Sequence, residues 1–410
     1  MALRRPTVLV LLALSGVVAQ AEDWPQFRGP TGQGHSSESG LPLHWTESQN
    51  VVWKVSTPGV GWSSPVVAGN RVWLTTAIDR DGGSLRAIAF DVETGREVVN
   101  VEVFRVADVR APNPKNSLAS PTPIVDGDRV YVHFGPDGTA ALTTSGDILW
   151  KTRFPYQSQH GNGGSPVVYG DLLILSCDGY DTAFVVALDK RTGEVRWKTP
   201  RRQPISQAYS TPLVIRVGDR DQIVSVGAFR AAAYDPESGD EIWRVAYDDG
   251  FSNVPRPVYG HGLVYIATGF QVPSLLAVRA DGAGDVTQTH VAWTLRRGMP
   301  YTPSPLLVGN ELYVVNDMGI LSCLDGETGD AHWRQRLGGN HSASPVYADG
   351  RIYFQSEEGV TTVIAAGKQF RRLATNRLDG ATLASMAVSG GSLFIRTDSH
   401  LYRIEEQGPG

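Results

Sequence analysis

Apolar and polar residues alternate in short runs along this chain: "RVWL" at 71–74, "RVYV" at 129–132, "LVYI" at 263–266, "ELYV" at 311–314 and "RIYF" at 351–354. A period of two over four or five residues predicts half-buried β-strands, and nothing comparable repeats at the helical period. Gly-Asn, Gly-Asp or Asp-Gly steps come just before these runs, the composition of tight hairpin turns. Before each turn lies another short apolar segment opened by proline, as in "SSPVV" and "GSPVV". A second turn signature follows, Asp-x-x-Thr/Ser-Gly with a Trp four residues after the Gly: "DKRTGEVRW" ending at Trp197, "DPESGDEIW" at Trp243 and "DGETGDAHW" at Trp333. There the Asp and Thr side chains bond local backbone N–H groups, and Gly supplies the positive φ. One unit is therefore four antiparallel strands in about 45 residues.

The unit repeats. Its proline recurs at Pro65, Pro123, Pro166, Pro212, Pro257, Pro305 and Pro345, with Met386 in an eighth, degenerate copy, at spacings of 58, 43, 46, 45, 48, 40 and 41 residues. Proline opening the first strand suits an edge strand facing a central channel. Eight such sheets set radially make an all-β, eight-bladed β-propeller. The tryptophans of the outer strands, Trp53, Trp150, Trp197, Trp243, Trp293 and Trp333, are expected to fill the gaps between blades, which widen with radius. The eighth copy ends near Glu406 without a Trp strand, whereas "NVVWKV" at 50–55 is a Trp strand with no unit of its own. Trp53 is thus expected to supply the eighth blade's outer strand and close the ring. The expected organisation is a signal peptide at 1–21, a strap at 22–49, the propeller at 50–406 and a disordered tail at 407–410. Trp24, Phe27 and Trp45 are the expected anchors of the strap.

Residues 1–21 combine Arg4 and Arg5 with an apolar stretch and a small-x-small ending at Ala19 and Ala21, which predicts export and cleavage after Ala21. No later window approaches the ~18 apolar residues of a membrane-spanning helix. Of 37 basic residues, Arg4 and Arg5 leave with the leader, and the other 35 face 42 acidic ones, a balance that disfavours nucleic acid or an anionic membrane as partner. Cys177 and Cys323 occupy equivalent places in separate repeats and are expected to be buried free thiols.

The unit A-x-D-x-x-T-G-x-x-x-W, as at 187–197 and 233–243, resembles the repeat of the pyrroloquinoline-quinone (PQQ) propeller family, and the resemblance spans almost the whole mature chain. "DWPQFRGPTGQG" leading to "NVVWKV" is also similar to that family's opening segment. The family holds quinoprotein alcohol and sugar dehydrogenases alongside non-enzymatic relatives such as the BamB envelope-assembly propellers. The dehydrogenases carry adjacent cysteines over the quinone, whereas here the two cysteines are 146 residues apart and no C-x-x-C-H occurs. No residue here matches the dehydrogenases' calcium ligands or catalytic Asp, and the lipid-bearing Cys of BamB is missing at the cleavage point. The resemblance implies an exported, non-catalytic, monomeric binding or assembly scaffold, periplasmic or secreted, without catalytic residues, metal site or cofactor. Its partner would be a protein, peptide or glycan of the cell envelope. The alternative is a PQQ-dependent oxidoreductase with non-covalent quinone and Ca²⁺ in the funnel.

Propeller connectivity sends the loops before each proline strand, and those between second and third strands, to one face. That face is expected to carry the ligand or partner site, through Trp62, Asn116, His160, Asn162, Tyr209, Asn253, Tyr301 and His341. Asp178, Tyr180, Asn316, Asp317, Glu357 and Glu358 join them from the second kind of loop. The insertion at 104–120 falls on the same face, placed to act as a lid.

Overall fold

The computed structural model describes residues 22–78, 83–106, 113–202, 204–248 and 250–407. The expected signal peptide, the last three residues of the tail and the centre of the 104–120 insertion lie outside the described residues. Eight sheets are present, blades 1 to 7 covering 66–105, 124–152, 167–200, 213–246, 258–295, 306–336 and 346–377, and blade 8 covering 387–405 together with 51–56. Each runs from a short inner strand outward through antiparallel neighbours; in blade 1 the order is Val66–Ala68, Arg71–Ile78, Ser84–Asp91 and Glu97–Arg105. The inner strands start directly after the prolines, as an unpaired edge allows.

The ring closes through Val51–Ser56, which runs antiparallel to His400–Glu405 as the outer strand of blade 8, with Trp53 opposite Arg403. The two ends of the chain thereby share one sheet, so opening the ring requires breaking a strand pair and the apolar packing beneath it.

The tryptophans show how blade meets blade. Trp197 Nε1 in blade 3 donates to Pro236 O in blade 4 at 2.8 Å. Trp53, Trp150 and Trp293 likewise reach Val92 O, Lys190 O and Gly326 O, each in the Asp-x-x-Thr-Gly turn of the next blade. Trp333 reaches Gly367 O of blade 7 at 3.2 Å. The two halves of the repeated motif are therefore halves of one interface, the Trp of one unit seated on the turn of the following unit. Trp243 departs from this. Blade 5 carries a longer excursion whose Gly284–Asp285 adds a fifth, parallel strand to blade 4 against Trp243 and Arg244. Covered on that side, Trp243 is fully buried and turns its indole N–H back to Gln222 Oε1 at 2.9 Å.

The turns behave as their composition implies: Asp91 Oδ1 accepts from the N–H and the hydroxyl of Thr94, both at 2.8 Å. Cys177 and Cys323 are buried free thiols in separate blades.

Residues 22–49 do not lie across the outside of the ring; their first half enters the central channel. Trp24 exchanges both backbone hydrogen bonds with Val67 of the blade 1 inner strand at 2.7 and 2.9 Å, and Pro25 O accepts from Val125 N of blade 2. Across the channel, Gln33 Oε1 accepts from Tyr259 N of blade 5, and Gly34 O from Tyr347 N of blade 7. Inner strands whose N–H groups would face an open channel thus find partners in the strap, as buried backbone donors must. The chain then leaves past blades 7 and 8, where Trp45 N donates to Asn376 Oδ1 at 3.0 Å and the Trp45 ring stacks on Tyr353.

Candidate functional site

The residue before each inner-strand proline is serine or threonine in most blades, and these side chains form a belt around the channel. Each backbone N–H donates to the hydroxyl of the next blade's equivalent: Ser64 to Thr122, Thr122 to Ser165 and Ser165 to Thr211, at 2.9–3.0 Å. The belt resumes with Arg256 to Ser304, Ser304 to Ser344, Ser344 to Ser385 and Ser385 back to Ser64, at 2.8–3.2 Å. It is interrupted between Thr211 and blade 5, where Arg256 holds the equivalent position. The Arg256 side chain turns along the channel instead, donating from Nε to Pro212 O at 3.0 Å and from Nη1 to Phe27 O at 2.7 Å. Arg256 and Arg28 are both fully buried, and among the described residues neither has a carboxylate partner. Burial pulls Arg256 down to about 9, and burial with the nearby Arg256 charge does the same to Arg28. Arg256 ties the strap into the channel through its charge-assisted bond to Phe27 O, while Arg28, itself in the strap, braces the strap's own turn through Gln33 O.

Above the belt, on the long-loop face, the channel widens into a funnel of about 670 Å³. Phe27 of the strap lines it from beneath, where the strap crosses the channel from blades 1 and 2 to blades 5 and 7. Much of its wall is aromatic: Trp62 before blade 1, His160 and Tyr209 before blades 3 and 4, Phe251 before blade 5 and Phe270 within it, and Tyr301 before blade 6. Phe270 stands edge-on to Phe251 with ring centres 5.8 Å apart, and 6.4 Å from Tyr301. Asp317 is the single carboxylate on the wall among the described residues, and its Oδ2 accepts the Tyr301 N–H at 2.7 Å. Burial pushes the Asp317 carboxyl above the usual range, with the Tyr301 N–H opposing that. Lys115, from the described end of the 104–120 insertion, pairs with Glu357 of blade 7 at 2.7 Å, and Glu357 also accepts from Ser342 Oγ.

Five of the eight residues expected on this face from sequence line the funnel: Trp62, Asn116, His160, Tyr209 and Tyr301. The other three are buried behind it and fasten loops. Asn162 Nδ2 donates to Leu118 O and Phe134 O at 2.9 and 2.6 Å. Asn253 Nδ2 donates to Gly227 O at 2.7 Å while its Oδ1 accepts from Gly269 N. His341 is 1% exposed, with Nε2 against Gly338 O at 3.1 Å. Asp178 also faces away, in a buried bidentate pair with Arg201 at 2.5 and 3.1 Å. Sequence reasoning missed Phe251 and Phe270, which sit in loops without turn or ligand motifs, and the hydroxyl belt, although the Ser/Thr-Pro step was visible in repeat after repeat. Among the described residues no group of three or more His, Cys, Asp or Glu side chains is placed to hold a metal ion.

An eight-bladed ring with a strap crossing its channel and an aromatic funnel on the long-loop face defines a β-propeller of the PQQ-like kind. A family model described as outer membrane protein assembly factor BamB matches residues 43–182, 89–290 and 227–370, and the chain belongs to that family. It is 27% identical over 206 residues to BamB of Alkalilimnicola ehrlichii, a match covering 49% of this chain and 40% of that one. It is 23% identical over 209 residues to BamB of Legionella pneumophila, covering 48% and 50%. The match thus spans about half the length of these curated relatives or less. Among solved structures, BamB from Moraxella catarrhalis superposes with a TM-score of 0.60 at 13% identity, covering 86% of this chain and 99% of that one. The quinohemoprotein alcohol dehydrogenase of Comamonas testosteroni gives 0.69 at 10% identity, covering 95% and 82%. A europium-containing methanol dehydrogenase gives 0.66 at 10%, covering 92% and 90%. At these identities the structural likeness speaks for the fold alone.

Proposed function

We propose that this protein is an exported, non-catalytic, monomeric scaffold that binds protein in the cell envelope, in the manner for which its assembly-factor relatives are named. The observation that carries the reading is an exposed apolar arc on the funnel mouth over blades 5 and 6. Phe270 is 55% exposed, Val272 39%, Tyr301 40% and Met318 64%, and three of these four line the funnel. Contiguous exposed apolar surface marks interaction sites, and an exposed Met adapts to varied partner shapes. Export is supported by the setting of Glu22. Its backbone N lies 2.7 Å from Glu38 Oε1, so cleavage after Ala21 would create an α-ammonium already facing a carboxylate. Intact-mass measurement of the exported protein should give a chain starting at Glu22, and a mass that includes residues 1–21 would contradict this.

The alternative, PQQ with Ca²⁺, meets an unsuitable wall. The quinone carries three carboxylates, whereas among the described residues the funnel sets against it one anionic side chain, Asp317, and one lysine whose charge Glu357 already balances. Ca²⁺ takes six to eight oxygens, largely from carboxylates and carbonyls, and Asp317 alone is a poor start. We therefore propose no quinone, and titration of the protein with PQQ and Ca²⁺ should show neither saturable binding nor alcohol- or sugar-dependent reduction of an artificial acceptor. Turnover in that assay would restore the dehydrogenase reading.

The scaffold reading is tested with paired surface variants, Phe270→Ala with Met318→Ala on the funnel mouth and Asp91→Ala with Glu93→Ala on the short-turn face. Capture of envelope proteins should fall with the first pair only; loss confined to the second would reverse the orientation of the molecule.

A further inference from the structure

We propose that the funnel beneath the apolar arc is a saccharide site that takes the terminal ring of a neutral glycan end-on. The inference deepens the scaffold reading, because it names a ligand for the same face, but apart from Tyr301, which both share, it rests on different side chains, those of the wall and base.

Three properties of the cavity point to this chemistry. First, Trp62, Tyr209 and Tyr301 stand around the axis among polar groups, in a volume within the range of about 300–1,000 Å³ that small-molecule sites occupy. A pyranose has apolar C–H faces and a rim of hydroxyls, and amphipathic aromatic rings next to polar groups match both. Second, the hydrogen-bonding groups at the base are hydroxyls with protons to give. Ser64, Thr122, Ser165, Thr211 and Ser385 each accept a backbone N–H from the preceding blade. Among the described residues none of these five hydroxyls donates to the protein, and all five line the cavity. The Asp317 carboxylate supplies the complementary acceptor higher on the wall. Donors and acceptors that, among the described residues, show no surplus of either charge suit sugar hydroxyls, which both give and take.

Third, the backbone argues against an extended peptide as occupant. A peptide strand binds by pairing with free main-chain N–H and C=O groups. Here the N–H groups of the belt residues other than Thr211 are occupied by neighbouring hydroxyls, and those of Val67, Val125, Tyr259 and Tyr347 by the strap. The strap also decides how a glycan enters. With the strap crossing the channel beneath the belt, a glycan enters from the funnel mouth and presents an end to the belt.

The test is saturation-transfer NMR and calorimetry on the mature protein with maltotriose, cellotriose, chitotriose and mannotriose, with glucuronate and trialanine as comparisons. At least one neutral trisaccharide should bind saturably at one site, with transfer strongest at its terminal ring. Trp62→Ala and Asp317→Asn should each weaken that binding by about tenfold or more, the effect of losing one good contact, while the thermal midpoint stays near that of the parent. A site built to hydrogen-bond hydroxyls also rejects analogues that lack them, so a deoxy form of the terminal ring should bind more weakly. The proposal is overturned if none of the four trisaccharides saturates, if binding survives both substitutions, or if glucuronate or trialanine binds more tightly. Phe270→Ala with Met318→Ala separates the two readings: loss of protein capture with retained trisaccharide binding leaves both standing, and absent trisaccharide binding with intact capture removes this one alone.

Discussion

Trp197 and Gly239 illustrate how much a single pair of side chains decides. Gly239 has φ +75°, and a Cβ added there would lie 2.5 Å from the Trp197 ring, so the glycine serves its own turn and the neighbouring blade's tryptophan together. Gly239→Ala is expected to destabilise by more than the ~1 kcal/mol of a simple backbone penalty, because the indole must also move. Trp197→Ala should cost about 3–5 kcal/mol, the scale for removing a buried large aromatic. Equilibrium denaturation checks both, and a loss below about 1 kcal/mol for Trp197→Ala would mean that the side chain does not fill the interface. These tryptophans were legible in the sequence because packing and repeat spacing coincide in them. Asn162, Asn253 and His341 were not, since a polar residue in a loop reads the same whether it faces a ligand or fastens a backbone carbonyl. Only three-dimensional placement separates Tyr301, 40% exposed, from His341, 1% exposed.

The strap and the Asp turns work as elements. The alternation and the turn signatures specify each blade, and the tryptophan strand without a unit specifies the ring closure, so almost all of the architecture can be read from local pattern. The path of residues 22–36 cannot, because an irregular segment rich in Gly and Pro has no periodicity to reveal which inner strands it meets. Blade 4's fifth strand escaped for the same reason, being two residues of a loop caught by a neighbour. The turns carry a pH signature. Asp91 is held below the usual carboxylate range by the Thr94 hydroxyl, Asp189 by the Arg191 N–H and Asp325 by the Thr328 N–H. Carboxyls lowered in the folded state contribute stability above the unfolded value of about 3.9, and that contribution is lost as pH falls below it toward the folded values. The urea midpoint should therefore drop between pH 5 and pH 3, and by less in a variant carrying Asp91→Asn, Asp189→Asn and Asp325→Asn. Equal drops in both proteins would place the acid sensitivity elsewhere.

Over the whole molecule, the two faces of the ring differ in kind. One consists of short turns whose residues are fixed by backbone needs. The other gathers the longer loops, the aromatic wall, the Lys115–Glu357 pair and the exposed arc around a cavity beneath which the strap crosses the channel. A ring with its channel crossed in this way can work from the funnel mouth without any conduit through its axis, which suits a molecule that holds its partners. The direct test is photo-cross-linking in the intact envelope from a photoreactive residue at Tyr301, compared with one at Glu93, with partners identified by mass spectrometry. Specific adducts with envelope proteins from position 301, and none from position 93, are the expected result; adducts concentrated at position 93 would contradict the assignment of the funnel mouth as the working face.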